Sequence, residues 1–145
     1  MRTTTQTRTL TIPVLDVDGT LTHGDHEVHE VHEVHEVHDD ATAQAAIRAA
    51  IGPDTTTLRK VGSLYDMDML AEAHTSPDEA PANTPANLFA VLQGDLEAFA
   101  MGSVAFVTTD ATGHYISPST MQLHSLLRLV DAWKERPEES LQQEA

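Results

Sequence analysis

The sequence predicts a small α+β domain in which about three helices pack on one small sheet that is mostly antiparallel or mixed. Segments with the two-residue period of strands alternate with segments of helical period along 145 residues, a length typical of one domain. Glycine-containing turns join strand-like segments that follow one another closely, as in antiparallel hairpins. Apolar residues make up 40% of the chain and aromatic residues only 4%, so the core is expected to be modest and mainly aliphatic.

The first predicted element is a strand that runs into a tight turn. Residues 1–8 are polar and predict a flexible N-terminus ahead of a single domain at 9–136. Apolar residues then alternate with Thr and Pro, which predicts a half-buried strand with Leu10, Ile12 and Val14 on its inner face. The Asp18-Gly19 pair favours a hairpin turn, and the return strand is expected to begin at residues 20–22.

Residues 23–40 form a low-complexity insert in which the triplet His-Glu-Val recurs from His26 to Val37. A period of three matches neither the 3.6 residues of an α-helix nor the two residues of a strand, so no lasting apolar face forms. The pattern indicates a tandem expansion that is solvated and partly helical or disordered. Deletion of the repeat, His26 to Val37, is therefore expected to change the free energy of unfolding by less than about 1 kcal/mol.

The insert also spaces its histidines three residues apart. Positions i and i+3 of a helix are neighbours, and imidazole and carboxylate groups suit Zn²⁺ or Ni²⁺. A drifting triplet gives its ligands no rigid hydrogen-bonded support, so only weak and non-specific binding is expected. The residues concerned are His26, His29, His32 and His35. The sequence otherwise indicates no metal site and no bound cofactor.

A helix and a strand follow the insert. The Ala-rich residues 41–51 predict a helix that is capped by Asp39 or Asp40 and ended by Gly52-Pro53. Residues 55–64 include several β-branched residues and predict a strand.

The next segment leaves one alternative open, because residues 66–74 fit either a strand or a short helix. Residues 75–87 are rich in Pro, Asn, Ser and Asp and predict a loop. Thr84-Pro85 then provides a cap and a first-turn proline for a helix at 86–93, which Gly94 ends.

The C-terminal part predicts a hairpin and the clearest helix of the chain. The β-type run 103–109 leads through the turn 110–113 to a short partner strand at 114–117. After Ser117-Pro118-Ser119, apolar residues fall at helical spacing and predict one face packed on the core. They are Leu123, Leu126, Leu127, Val130 and Trp133. Residues 137–145 predict a disordered tail.

The formal net charge of −15 argues against direct binding to nucleic acid or to an anionic membrane. Only Arg59 and Lys60 are adjacent basic residues, and no apolar run is long enough to cross a bilayer. An acidic surface instead suits a basic protein partner, including a DNA-binding protein that the chain blocks by mimicking nucleic-acid charge. The lack of cysteine and of an apolar leader segment predicts a cytoplasmic protein.

The segment Asp16-Val17-Asp18-Gly19-Thr20 resembles the first motif of the haloacid-dehalogenase-like phosphatases. The resemblance implies a nucleophile at Asp16, a general acid/base at Asp18 and a Mg²⁺ ion that offsets the repulsion between carboxylate and phosphate. It also implies a central strand in a parallel sheet, followed later by a Ser or Thr, a Lys and an acidic pair.

The rest of the sequence favours a turn over this phosphatase site. Thr11 and Pro13 interrupt a strand that is apolar throughout in that family, and proline is rare in central strands. Beyond residue 109 the only lysine is Lys134, inside the predicted last helix. If the 104–109 strand carried the last motif instead, Asp110 would lack its acidic partner. No catalytic residue is therefore expected, and the phosphatase remains the alternative.

Most of the chain is also similar to a family of small uncharacterised proteins from actinobacteria and their phages and plasmids. The shared features are a short strand with a proline and a Gly-containing turn, a helix that ends in Gly, an Asn/Pro loop before a helix and an apolar strand after a Gly. Here they are Ile12-Pro13-Val14 with Asp18-Gly19, residues 45–52, residues 82–87 and residues 102–107. The resemblance implies a mobile-element accessory protein with no catalytic residue. The favoured function is a cytoplasmic accessory protein that acts by protein contacts through its acidic surface.

Overall fold

The computed structural model describes residues 4–33, 36–38, 40–53, 55–73, 78, 80–111 and 113–135. This part of the chain forms seven strands and three helices. The strands are β1 (Thr4–Leu15), β2 (Leu21–Glu33), β3 (Glu36–His38), β4 (Leu58–Leu64), β5 (Met67–Glu72), β6 (Val104–Thr109) and β7 (Tyr115–Ile116). The helices are α1 (Asp40–Ile51), α2 (Thr84–Leu92) and α3 (Thr120–Lys134).

One antiparallel sheet organises the fold. Its strand order is β3-β2-β1-β6-β5-β4, and the short β7 pairs with β6 beyond the point where β6 pairs with β1. Every described pair of neighbouring strands is antiparallel. The predicted α+β class, with a small antiparallel sheet and three helices, is confirmed. None of the helices in the described ranges is long and apolar enough to cross a bilayer.

The first predicted hairpin is present and is longer than predicted. β1 and β2 pair continuously from Leu15 opposite Leu21 to Thr4 opposite His32. β1 thus begins at Thr4, inside the segment that was expected to be a flexible N-terminus. The reason is the length of β2, which offers a backbone partner to each residue of β1.

The His-Glu-Val segment differs most from its prediction, since it is β-strand over Leu21–Glu33 and again over Glu36–His38. The interpretation as a partly helical or disordered insert is wrong for these residues. A period of three gives no apolar face of its own, but the backbone of β1 pairs with residues 21–32 of β2. Val28 is 0% exposed and packs with Ala43 and Ile47 of α1, so the segment contributes to the core.

This burial leads to a prediction for Val28. The change Val28→Ala is expected to lower the free energy of unfolding by about 2 kcal/mol, because it removes buried methyl groups and leaves a cavity. Urea unfolding followed by circular dichroism measures the loss. The matched control is Val17→Ala in the exposed β1–β2 turn, for which a change below about 0.5 kcal/mol is expected. Equal and small effects of both changes would mean that the repeat is solvated after all.

The sheet separates two apolar layers. On one face, residues of β1, β2, β5 and β6 pack against α1, and the buried members are Leu10, Ile12, Val14, Val28, Ala43, Ile47, Leu70, Ala105 and Val107. On the other face α2 and α3 cover a larger cluster, which includes Leu15, Leu64, Met67, Met69, Phe89, Val104, Phe106, Leu126 and Val130. Of the predicted apolar stripe of the last helix, Leu126 and Val130 are buried in the core, and Trp133 packs against it.

The segment for which strand and helix were both open is the strand β5. A two-residue turn joins it to β4, and both turn residues have positive φ angles, 51° at Tyr65 and 64° at Asp66. Gln122 of α3 donates from Nε2 to the Tyr65 carbonyl at 2.9 Å, which fixes this turn against the last helix. Leu64 pairs with Met67 across the turn, so the hairpin buries both side chains in the larger cluster.

The helix ends follow the predicted capping residues with one shift. α1 ends at Ile51 before Gly52, as predicted, and Asp39 lies outside the described residues. α2 begins two residues earlier than predicted, and its N-cap is Asn83 in place of Thr84, with Pro85 in the first turn. Ser119 and Gln122 form a reciprocal capping box at the start of α3. The predicted tail at 137–145 lies outside the described residues, as do residues 75–77 and 79 of the predicted loop at 75–87.

Candidate functional site

The two motif aspartates lie in the turn between β1 and β2. The Asp16 N–H donates to the Thr20 carbonyl at 2.9 Å, and the Gly19 N–H donates to the Asp16 carbonyl at 3.0 Å. Gly19 has a φ of 90°, a conformation that glycine adopts without strain. The backbone therefore forms a tight turn with a left-handed glycine, which matches the right-handed twist of the two strands.

The carboxylate of Asp18 closes this turn from outside. Its Oδ1 accepts the Thr20 N–H at 2.9 Å. This backbone hydrogen bond, with a smaller attraction to Lys134, holds the pKa of Asp18 below its ordinary value. Because the folded pKa is lowered, the contribution of Asp18 to stability is present above the unfolded pKa and is lost as the pH falls through the folded one. The side chain is fully exposed, so its main role is to order the turn.

The carboxylate of Asp16 contacts the opposite strand. The Ser103 hydroxyl, directly before β6, donates to Asp16 Oδ1 at 2.5 Å. This bond ties the end of β1 to the start of β6, where Leu15 pairs with Val104.

A second turn in the chain has the same backbone hydrogen bonds. The Asp110 N–H donates to the His114 carbonyl at 2.9 Å, and the Gly113 N–H donates to the Asp110 carbonyl at 3.0 Å. Gly113 also has a φ of 90°. Asp-x-x-Gly is thus used twice to reverse the chain between antiparallel strands, once in the phosphatase-like motif and once outside it. The shared geometry accounts for Asp16 and Gly19 without a catalytic role.

The neighbours of β1 differ from those that the phosphatase resemblance implies. β2 and β6 flank β1, and both run antiparallel to it. Lys60 pairs with Asp68 at 3.1 Å, between β4 and β5 at the far side of the sheet. In the part of the chain that the structure describes, no group of three or more His, Cys, Asp or Glu residues is arranged to hold a metal ion. Among the described residues, Ser103 contacts Asp16, and no third carboxylate joins those of Asp16 and Asp18 to form a metal site.

The histidines of the repeat lie on a strand, which changes their spacing. Positions three apart on a strand fall on opposite faces of the sheet, about 10 Å from each other. His23 is exposed and His26 is half-buried, as expected for positions on opposite faces. The side chains of His29, His32 and His35 lie outside the described part of the chain. The i, i+3 arrangement that a helix would offer to a shared metal does not apply within β2.

Sequence reasoning missed the most connected polar side chain, Asn83, which is 0% exposed. Its Nδ2 donates to the carbonyls of Leu15 and Gly102, both at 2.9 Å, and its Oδ1 accepts the Ala86 N–H at 3.1 Å. Asn83 thereby joins the end of β1, the segment before β6 and the first turn of α2. The Asn-Thr-Pro sequence indicates a cap, but the two carbonyl partners lie too far away along the chain to be predicted.

An exposed apolar surface lies on α2 and the turn that follows it. We call it the α2 patch, and it consists of Leu88, Val91, Leu92, Leu96 and Phe99. The first three are neighbours at helical spacing on the outer side of α2. Leu92 is 63% exposed and Leu96 is 78% exposed. The Phe99 N–H donates to the Val61 carbonyl at 3.1 Å, which anchors the end of this segment to β4.

An acidic groove adjoins the C-terminal end of α2. It is an open cleft of about 770 Å³ between the β4–β5 turn and the residues after α2. Its carboxylates are those of Asp66, Asp68 and Asp95. The Ser63 N–H donates to Asp95 Oδ2 at 2.9 Å, so this carboxylate also holds the loop against β4. Residues 93–95 of the groove lie between Leu92 and Leu96 of the α2 patch along the chain, so the two features are adjacent.

Comparisons of the chain with protein families, with curated proteins and with solved structures find no match.

Proposed function

We propose that the chain is a protein-contact module that binds a basic amphipathic segment of a partner protein along the α2 patch and the acidic groove. The observation that carries the proposal is the group of large apolar side chains exposed together within residues 88–99. A basic partner fits the function that the sequence favours, which is an accessory protein that acts by protein contacts through an acidic surface.

The apolar part of the proposal rests on exposure. Single exposed apolar residues are common on protein surfaces, whereas a contiguous group rimmed by polar residues is typical of an interaction site. Leu92, Leu96 and Phe99 would each lose contact with water when a partner covers them. Burial of such side chains supplies most of the affinity of a small interface, and a few of them usually dominate it.

The electrostatic part rests on charge complementarity. Asp66 and Asp95 line the groove beside the patch, and the chain as a whole carries −15. Asp68 also lines the groove, but Lys60 offsets its charge at 3.1 Å. A partner with Lys or Arg next to its apolar side chains would gain binding affinity from both the α2 patch and the acidic groove. The negative field would also steer such a partner during encounter, which makes its association rate fall as salt is added. A DNA-binding protein with a basic helix is one member of this partner class.

A synthetic peptide tests the proposal. The probe is a fluorescein-labelled helix in which Leu occupies one face and Arg the other, and fluorescence anisotropy measures its binding. Leu96→Gln is expected to weaken binding about tenfold, since it removes one exposed anchor. Asp66→Asn is expected to weaken binding about threefold and to reduce the salt dependence. Asparagine adopts the left-handed backbone of this turn as readily as aspartate does, so the fold is preserved.

The controls separate this surface from general stickiness. Met121 on α3 is 78% exposed, the same fraction as Leu96, but it lies outside the α2 patch. Met121→Gln is therefore expected to leave the affinity unchanged. If Met121→Gln weakens binding as much as Leu96→Gln, or if a peptide with Glu in place of Arg binds equally well, the proposed surface is wrong.

A further inference from the structure

Residues 95–99, which we call the strap, carry the last two apolar side chains of the α2 patch along the outer edge of β4. β4 ends the order of the described strands, so its outer edge offers backbone groups to something other than a strand. The Phe99 N–H donates to the Val61 carbonyl at 3.1 Å, and Asp95 Oδ2 accepts the Ser63 N–H at 2.9 Å. The strap is thereby tied to the edge of β4 near both of its ends.

Further hydrogen bonds tie the strap to α2. The Asp95 N–H donates to the Ala90 carbonyl at 2.9 Å. The Asn87 side chain bonds both the N–H and the carbonyl of Ala100, the residue directly after the strap. The backbone on either side of the strap is therefore fixed to the same helix that carries the rest of the α2 patch.

The strap turns a small side chain inward and two large ones outward. Ala98 is half-buried and packs against the larger core cluster. Leu96 and Phe99 remain exposed, Phe99 to 50%. Apolar side chains on a loose segment gain by turning away from water, so the backbone ties hold these two outward against that tendency. A partner then meets a surface that is already formed and loses little affinity in ordering it.

The strap lies this close to β4 because residue 62 is a glycine. A Cβ at Gly62 would lie 2.8 Å from the Ala98 Cβ and 3.3 Å from Asp95 Oδ2. The Ala98 Cβ cannot rotate away, so the backbone of the strap would have to move. The third neighbour, Met69 Sδ at 3.2 Å, ends a flexible side chain that can adapt. A glycine inside a strand commonly marks such a close approach of another segment.

We infer that Gly62 is a positioning residue for the α2 patch, because its lack of a side chain lets Ala98 settle on β4 and so holds Leu96 and Phe99 outward. This inference rests on the protein-contact function proposed above and adds that the binding surface is preformed. Gly62 and Ala98 belong neither to the α2 patch nor to the lining of the acidic groove. Changes at these two residues therefore reach the partner only through the strap.

The change Gly62→Ala tests the inference with the labelled Leu/Arg peptide. It is expected to weaken peptide binding about tenfold, since it displaces two side chains that contact the partner. Without peptide, hydrogen exchange of the Ser63 and Phe99 amides is expected to become about tenfold faster, because both amides are bonded across the strap contact.

A size exchange separates positioning from a general loss of structure. The double change Gly62→Ala with Ala98→Gly removes the methyl group that the new Cβ would meet. It is expected to restore both the affinity and the slow exchange to within about threefold of the unchanged protein. The matched control is Gly24→Ala in β2, where the nearest atom to a new Cβ is His26 Nε2 at 3.5 Å, an ordinary contact. This control is expected to change neither measurement.

The two measurements fail in different ways. If Gly62→Ala leaves the exchange of Ser63 and Phe99 slow, or if the double change does not restore it, Gly62 does not hold the strap and the inference is overturned. Faster exchange with unchanged peptide affinity would overturn it as well, since the strap would then be ordered without shaping the surface. A peptide that does not bind the unchanged protein would instead overturn the proposed function, and the exchange rates would still decide whether Gly62 holds the strap.

Discussion

Replacement of Asn83 by alanine is expected to lower the free energy of unfolding by about 4 kcal/mol. The change removes the cap of α2 and leaves the carbonyls of Leu15 and Gly102 without their amide donor. Loss of a helix cap costs about 1 kcal/mol, and each buried polar group left without a partner costs about 1 to 3 kcal/mol. Guanidinium or urea unfolding of the purified variant measures the sum.

Asn87→Ala is the graded control for this prediction. Asn87 accepts the Ala100 N–H at 2.7 Å and donates to the Ala100 carbonyl at 3.2 Å. The same carbonyl also accepts the Asn83 N–H at 2.9 Å, so the change at Asn87 leaves only the Ala100 N–H unpaired. A loss of about 1 to 2 kcal/mol is expected. If the Asn83 variant loses no more than the Asn87 variant, Asn83 is not the residue that joins β1, β6 and α2.

The change Gly19→Ala is expected to cost about 3 kcal/mol, much more than Gly113→Ala. Both glycines have a φ of 90° in turns with the same backbone hydrogen bonds, so the backbone strain of about 1 kcal/mol is common to both variants. A Cβ at Gly19 would lie 2.6 Å from Cδ1 and Nε1 of the Trp133 indole, whereas a Cβ at Gly113 meets nothing within 4 Å. The difference between the two variants therefore measures the close approach of the turn to Trp133.

The fluorescence of Trp133, the single tryptophan, gives this prediction a second measurement. Trp133 packs edge-on against Phe89 with ring centroids 6.5 Å apart, and a Cβ at Gly19 would push the indole from this position. A changed emission spectrum is expected for Gly19→Ala but not for Gly113→Ala. If both variants lose the same stability and keep the same spectrum, the indole does not contact the turn.

Local chemistry made much of the fold predictable. The Asp18-Gly19 and Asp110–Gly113 turns depend on a glycine that can adopt a positive φ, and this information lies within a few residues. The same holds for the start of α3 after residues 117–119 and for the end of α1 at Gly52. These features were predicted at their observed positions because no distant residue decides them.

Long-range pairing explains what was not predictable. The triplet repeat carries no strand period, and its pairing with Thr4–Leu10 of β1 selects the extended conformation over His26–His32. The same reason applies to Asn83, whose partners at Leu15 and Gly102 come from other strands.

The pairing of the triplet repeat with β1 has a consequence for how this gene segment can change in copy number. Because the four units are identical, gain or loss of one unit leaves residues 21–33, and therefore the whole of β2, unchanged in sequence. The register with β1 and the burial of Val28 are then kept, and the sequence changes only beyond that strand. Natural variants that differ by one triplet are therefore expected to keep the β1–β2 hairpin and to differ in the segment that joins it to α1.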